Sequence, residues 1–240
     1  MKMIVCDNYE EMSEEAAKIV AELLKQKPDC VLGLATGSTP VGMYQKLVHM
    51  HQLGKITFRG VTSYNLDEYF PIEPTHEQSY RYFMNDNLFD HVDIDKARTF
   101  VPNGLAKDPV REGEEYDQAI DAVGGIDLQV LGIGQNGHIG FNEPDAELVA
   151  GTHVTALTEN TIEANSRFFT SKEEVPTHAL TMGMASIMKA KKIVLLASGS
   201  NKHAAVAKLL DDKITTSCPA SFLKLHPDVV LICDKAAFQG

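Results

Sequence analysis

Cys30-Val31-Leu32-Gly33-Leu34-Ala35-Thr36-Gly37-Ser38-Thr39-Pro40 passes from an unbroken apolar run, through a turn of small residues, to a proline of the kind that opens helices. Apolar residues at consecutive positions mark a strand covered on both faces, as in a parallel sheet, whereas a half-solvated strand would alternate. Short β-branched apolar runs recur at Met3 to Cys6, Val61 to Leu66, Ile126 to Gly132, Ile193 to Ser198 and Val229 to Cys233, several of them apolar at consecutive positions. Between the runs the period lengthens. Over Tyr9 to Lys27, Met12, Ala16, Ile19, Val20 and Leu23 fall at helical spacing, and Asn8 with Glu11 forms a capping box. Further helices are expected near Pro40 to Leu53, Ser79 to Leu88, Val110 to Val123, Glu159 to Arg167 and Asn201 to Asp211. Strands alternating with helices from end to end predict an α/β fold: a doubly wound, mostly parallel sheet with helices on both faces. At 240 residues one core suffices, so residues 1–240 are expected to form a single domain. The least regular stretch, about Pro144 to Pro176, is expected to act as a lid.

Composition narrows the functional classes. The chain is 44% hydrophobic and 23% charged, and no apolar stretch of about 18 residues exists to span a bilayer. The opening Met1-Lys2-Met3-Ile4-Val5-Cys6-Asp7 reaches an acid too early for the apolar core of an export signal. Cys6, Cys30, Cys218 and Cys233 lie far apart without close pairs, as reduced, buried thiols would. A cytoplasmic protein without membrane partners is expected. A net charge of −11 opposes contact with nucleic acid, so any phosphate must be held by a local pocket.

Two turns suit such a pocket. In Leu34 to Pro40, with Thr39 as N-cap and Pro40 at the first helical position, free backbone N–H groups stand at a helix start. Gly37 permits close approach, and the hydroxyls of Thr36, Ser38 and Thr39 add donors. The stretch lacks the Gly-Lys-Ser/Thr ending of a nucleotide P-loop and the three-glycine dinucleotide fingerprint. Ala197-Ser198-Gly199-Ser200-Asn201-Lys202-His203 repeats the small-residue design and puts Lys202 at a helix start, where the dipole disfavours a cation unless an anion is near. Arg167, in Ala164-Asn165-Ser166-Arg167-Phe168-Phe169, offers a planar fork for phosphate. Each also reads, taken singly, as an ordinary cap or a solvated surface cation.

Reactive groups stand in two further segments. Asn65-Leu66-Asp67-Glu68-Tyr69 brings two acids to the end of the third strand, at the edge where open α/β sheets bind ligands. Successive side chains on extended backbone point to opposite sides, so one acid faces a given pocket, and Asp67, directly off the strand, is the candidate. Leu131-Gly132-Ile133-Gly134-Gln135-Asn136-Gly137-His138-Ile139-Gly140-Phe141-Asn142-Glu143-Pro144 places four glycines within nine residues around His138. A histidine moves protons near neutral pH, and a carboxylate within reach fixes its tautomer. His138 and Glu143 could both ligate a metal, yet no third ligand is evident and none is expected.

Together, Gly33 to Pro40, Asn65 to Tyr69, Gly132 to Pro144, Ala164 to Phe169 and Gly199 to Lys202 closely resemble the glucosamine-6-phosphate deaminase family, in the family's order and across about residues 2 to 235. The resemblance implies a Rossmann-like fold and conversion of glucosamine 6-phosphate and water to fructose 6-phosphate and ammonia, without a cofactor. By similarity, His138 assists ring opening, supported by Glu143 and Asn136. Asp67 moves the proton between C2 and C1, and Thr36, Gly37, Ser38, Thr39, Arg167 and Lys202 bind the phosphate. Two related readings are a 6-phosphogluconolactonase, whose usual arginine after the acid pair is replaced here by Tyr69, and a sugar-phosphate-sensing regulator domain, which would carry an amino-terminal helix-turn-helix.

Two departures from the family pattern carry expectations. The chain ends at Gly240 without the longer tail of hexameric, allosteric members, and His153 and Thr155 replace their basic effector-binding residues. A monomer or small homo-oligomer that does not respond to N-acetylglucosamine 6-phosphate is expected. Asn136 stands where many members carry aspartate, which removes one negative charge beside His138. The pH profile of Asn136→Asp is therefore expected to be displaced from that of the wild type; superimposable profiles in a rate assay would count against this.

Overall fold

Strand β2 (Val31–Leu34) is buried at every position and lies inside a seven-stranded parallel sheet of order β1-β10-β9-β6-β2-β3-β5. The computed structural model describes residues 1–159, 162–163, 169, 171 and 174–240. The other strands are β1 (Lys2–Cys6), β3 (Thr62–Asn65), β5 (Thr99–Phe100), β6 (Leu128–Gly132), β9 (Lys192–Ala197) and β10 (Val229–Asp234). Alternate residues of a strand face opposite sides, so complete burial of β2, β3 and β10 means that both faces of the sheet are covered. This is the doubly wound arrangement expected from the apolar runs. No helix among the described residues is long and apolar enough to cross a membrane.

Local chemistry fixes the helices. In α1 (Tyr9–Gln26) the Asn8 side chain accepts from Glu11 N at 3.0 Å, while Glu11 Oε2 accepts from Asp7 N at 2.6 Å. The capping box forms, with its return bond one residue earlier than in the standard pattern. The apolar face of α1 buries Met12, Ala16, Val20 and Leu24, and α1 packs on α2 (Ser38–Gln52). In α4 (Pro109–Ala122), Tyr116 sends its hydroxyl to Asn65 O at 2.8 Å and to Phe100 O at 3.2 Å, which ties the helix to the exit of β3. All four cysteines are buried free thiols.

The structure revises several boundaries. Helix α2 begins at Ser38 with Gly37 as its cap, not at Pro40 behind a Thr39 cap, because Gly37 adopts φ 91° and turns the chain two residues earlier. The helix expected over Asn201 to Asp211 opens as a 3-10 turn, Ser200–Lys202, before the α-helix His203–Leu210. The third strand stops at Asn65, and Asp67 begins a new strand, β4 (Asp67–Phe70). This strand joins β8 (His178–Thr181) and β7 (His153–Ala156) in a separate three-stranded antiparallel sheet of order β4-β8-β7. These short, partly polar strands carry no continuous apolar signal. Strand β7 also gives order to part of the stretch read as an irregular lid, while 160–161, 164–168, 170 and 172–173 lie outside the described residues, and with them most of the helix expected over Glu159 to Arg167.

At the opposite edge of the sheet Asp127 is a buried anchor. Its carboxylate accepts from Lys27 Nζ and Val31 N, both at 2.8 Å, and from Lys191 Nζ at 2.7 Å. Burial works against its charge, but the lysine and backbone bonds outweigh it and hold the carboxyl below its usual range. Asp127→Ala is expected to cost roughly 1–3 kcal/mol through the orphaned Val31 N–H, lowering Tm by several degrees while leaving turnover at 25 °C unchanged. Because the folded-state pKa is depressed, this stabilisation is complete above about pH 4 and is lost as pH falls through the folded value. Melting curves of wild type and variant should therefore converge in acid.

Candidate active site

Leu66 holds the two sheets together. Its N–H donates to Leu34 O at 3.0 Å, as though β3 continued, and its carbonyl accepts from Met182 N at 2.7 Å, just beyond β8. The next residue, Asp67, emerges between the sheets at the rim of a cavity of about 820 Å³. Thr36, Gly37, Ser38, Thr39, Asp67, Asn136, His138, Glu143 and Lys202 all line this cavity. Nine of the ten site residues expected from the sequence thus meet in one place. The tenth, Arg167, lies outside the described residues.

The acid pair divides as strand alternation requires. Asp67 stands opposite Thr181 in the β4–β8 register and faces the cavity. Glu68 points to the other side, where its carboxylate accepts from Tyr69 N (2.9 Å), Tyr80 N (2.8 Å) and Arg81 N (2.9 Å) and so holds the start of α3 (Tyr80–Asn87). Burial, reinforced by the Glu68 charge, pushes the Asp67 carboxyl up to about 8. Glu68 is raised to about 7 by burial, with its three N–H bonds pulling the other way.

Glycines shape the histidine loop. Gly134 N donates to His138 O at 2.9 Å and Gly137 N to Gly134 O at 3.0 Å, closing a tight turn with Gly137 at φ 91°. A Cβ at Gly134 would stand 2.3–2.5 Å from three imidazole atoms, so the ring rests directly on the main chain and no side chain fits beneath it. Glu143 Oε1 lies 3.1 Å from His138 Nδ1, and Asn136 Nδ2 donates to Glu143 Oε2 at 2.6 Å. The Asn136 carbonyl oxygen in turn accepts from His138 N at 3.2 Å. The imidazole edge, carboxylate and amide form one closed cluster. A Cβ at Gly140, where φ is 58°, would lie 3.7 Å from Asp67 Oδ2, so the acid and the histidine loop are neighbours across this glycine.

The described residues expected from the sequence to hold phosphate lie on the other rim. No side chain caps the start of α2, which leaves first-turn N–H groups free at Gly37 to Thr39. Tyr44 OH bonds Ala35 O at 2.6 Å and Tyr9 OH bonds Ser38 O at 3.0 Å, pinning the turn from behind. Burial lowers the pKa of Lys202, and its ammonium has no carboxylate partner among the described residues. An unpaired, partly buried cation is costly, and a bound anion removes the cost.

Several contributors escaped the sequence reading. Thr181 Oγ1 accepts from Phe141 N at 3.0 Å, and Asn142 Nδ2 donates to Ile139 O and Met182 O at 2.9 and 2.8 Å, so strand β8 grips the end of the histidine loop. Tyr80 lies parallel to Phe141, with centroids 6.2 Å apart and planes 2° apart, and both line the cavity. Ala220 N donates to Gly137 O at 2.9 Å, and a Cβ at Gly137 would meet Cys218 Sγ at 2.6 Å. Asn142 was within reach of sequence reasoning as part of the glycine-rich motif. The other contacts join distant segments, which no local pattern announces.

Comparison with known proteins agrees with this geometry. Residues 7–231 match the family model described as glucosamine-6-phosphate isomerases/6-phosphogluconolactonase. Over 237 residues the chain is 56% identical to a glucosamine-6-phosphate deaminase of Thermoanaerobacter pseudethanolicus, covering 99% of this chain and 94% of the relative. It is 57% identical to one of Clostridium perfringens, covering 99% and 98%. A solved structure described as a monomeric glucosamine-6-phosphate deaminase superposes with a TM-score of 0.96 at 48% identity, covering 99% of this chain and 98% of the other. The 6-phosphogluconolactonase of Trypanosoma brucei shares the fold, with a TM-score of 0.76 at 21% identity, covering 98% and 97%. The chain belongs to the glucosamine-6-phosphate isomerase/6-phosphogluconolactonase family.

Proposed function

We propose that this enzyme converts glucosamine 6-phosphate and water to fructose 6-phosphate and ammonia, with Asp67 as the proton-transferring base and His138 as the ring-opening group. The observation that carries the reading is the meeting of Asp67, the His138–Glu143–Asn136 cluster and Lys202 around one cavity. The relatives at 56% and 57% identity are deaminases, whereas the lactonase likeness is one of fold. The turn at Thr36 to Thr39 and Lys202 hold the phosphate, with Arg167 assigned to the same role, and the binding energy of that remote group positions the reacting carbons. His138, oriented by Glu143, passes a proton between the anomeric hydroxyl and the ring oxygen. Asp67 takes the proton from C2 of the open chain and returns it to C1 through an enolamine. Water then adds at C2 and ammonia leaves, so the atoms balance without an oxidant. Burial of Asp67 makes its carboxylate a stronger base than a solvated one, and a charged substrate amine beside it favours the ionised form.

We read the chain as a cytoplasmic monomer or small homo-oligomer without an allosteric effector. The solved deaminase it resembles at 48% identity is described as monomeric. Thr158 and Glu163, from the 144–176 segment, line the same cavity, which supports a covering role for that segment. Initial rates should follow a hyperbola in substrate and stay unchanged by added N-acetylglucosamine 6-phosphate; a sigmoid curve relieved by that compound would reverse the reading.

An ammonia-release assay with glucosamine 6-phosphate tests the class and the base together. The wild type is expected to release ammonia, and Asp67→Asn to lose roughly 10²- to 10⁴-fold in kcat. A variant as active as the wild type removes Asp67 from the chemistry. Since kcat/KM reports the free enzyme, it should rise with pH as the Asp67 proton leaves near pH 8. The same raised pKa makes ionisation unfavourable to folding. Its stabilising contribution is complete below the ordinary value of 3.8 and is lost as pH climbs through about 8. Asp67→Asn should therefore gain Tm relative to the wild type as pH rises through that window, and a constant difference across it would contradict the assignment.

A further inference from the structure

Strand β10 ends on Asp234, a carboxylate only 5% exposed that no step of the proposed chemistry uses. Cys233 pairs with Ala197 in the β9–β10 register, so Asp234 stands level with the point where the chain leaves β9 for the Lys202 turn. Two of its three partners belong to that junction, and the third, Ala237 N, lies in the helix Lys235–Gln239 that Asp234 caps. Ser198 Oγ donates to Oδ2, Gly199 N lies 3.1 Å from both carboxylate oxygens, and Ala237 N donates to Oδ1 at 2.7 Å. Gly199, at φ 91°, then opens the Ser200–Lys202 turn, and Lys202 N closes it on Gly199 O at 3.0 Å.

The contrast with the first anion turn is informative. Gly37 has the same φ of 91° and caps its helix in the same way, yet neutral tyrosine hydroxyls hold that turn in place. At Gly199 the holder is a buried charge, close to a turn that presents a cation to an anionic ligand. A like charge there opposes an anion, so a neutral anchor would serve binding better on electrostatic grounds alone. What the carboxylate provides is geometry: two acceptor oxygens that engage a hydroxyl and two backbone N–H groups from separate segments at once.

We propose that Asp234 is a positioning residue for anion binding, which fixes the Gly199 turn so that Lys202 points into the cavity. It acts on affinity for the phosphate and leaves proton transfer at Asp67 untouched. The proposal rests on the reading of Lys202 as a phosphate ligand.

Binding of inorganic phosphate by calorimetry, alongside steady-state kinetics with glucosamine 6-phosphate, tests it. Asp234→Ala is expected to raise the Kd for phosphate and the KM about tenfold, with kcat within about threefold of the wild type. Asp234→Asn should recover most of the loss, because its carbonyl can accept from Gly199 N and Ala237 N while its amide donates to Ser198 Oγ. Lys202→Met should weaken phosphate comparably, and adding Asp234→Ala to it should change Kd by less than about twofold, since the two act through one contact. Should Asp234→Ala not fold, Ser198→Ala removes a single support and is expected to weaken phosphate about threefold at an unchanged Tm. Unchanged phosphate affinity in a folded Asp234→Ala or Ser198→Ala, multiplicative losses in the double variant, or a wild type that binds no phosphate at tens of millimolar overturns the proposal. Failure of the wild type to release ammonia would instead sink the substrate assignment, and the phosphate arm would still decide the role of Asp234.

Discussion

The backbone at Leu66 is the constraint on which the rest of the site depends. One residue serves two sheets: its N–H completes the parallel ladder at Leu34, and its carbonyl takes the N–H of Met182 beside the antiparallel one. A chain that must satisfy both partners has no freedom to slide. A one-residue slip in β4 would exchange the faces of Asp67 and Glu68, sending one acid out of the cavity and taking the other from the start of α3. Thr181 reinforces the arrangement, since it pairs with Asp67 in register while its hydroxyl secures Phe141 in the histidine loop. Asp67 and the histidine loop are thus placed by the strand register and by the Thr181 hydroxyl together.

Electrostatically, the two rims of the cavity are opposites. On one, a buried carboxyl keeps its proton to unusually high pH because water is scarce around it and Glu68 is close behind. On the other, a lysine sits partly desolvated without a carboxylate partner among the described residues. Both groups are poorly solvated in the free protein, and a ligand carrying a charged amine at one end and a phosphate at the other relieves both.

The main sheet was legible chiefly in the strands buried on both faces that are apolar throughout, the runs that became β2, β9 and β10, whereas β3, Thr62-Ser63-Tyr64-Asn65, is buried yet largely polar and β1 is mostly exposed. The site was legible for a different reason. Glycines beside polar residues at Gly37 and Gly134 to Gly140 are locally unfavourable, and they mark places where backbone must do something unusual. What stayed hidden was the small sheet. Asp67-Glu68-Tyr69-Phe70 reads as a polar strand end, and only contacts with residues more than a hundred positions away make it a strand. Tertiary pairing overrode local preference there, as it did at Cys218 and Ala220 behind Gly137. The misplaced start of α2 has a simpler origin: proline at position 40 drew attention from the positive φ of Gly37 three residues earlier.

The imidazole of His138 lies against bare main chain on one side, at Gly134, and turns Nδ1 toward Glu143. A half-turn of the ring would take Nδ1 away from the carboxylate. The ring is therefore approachable from a single side, which gives the site a handedness of its own, separate from that of the sugar.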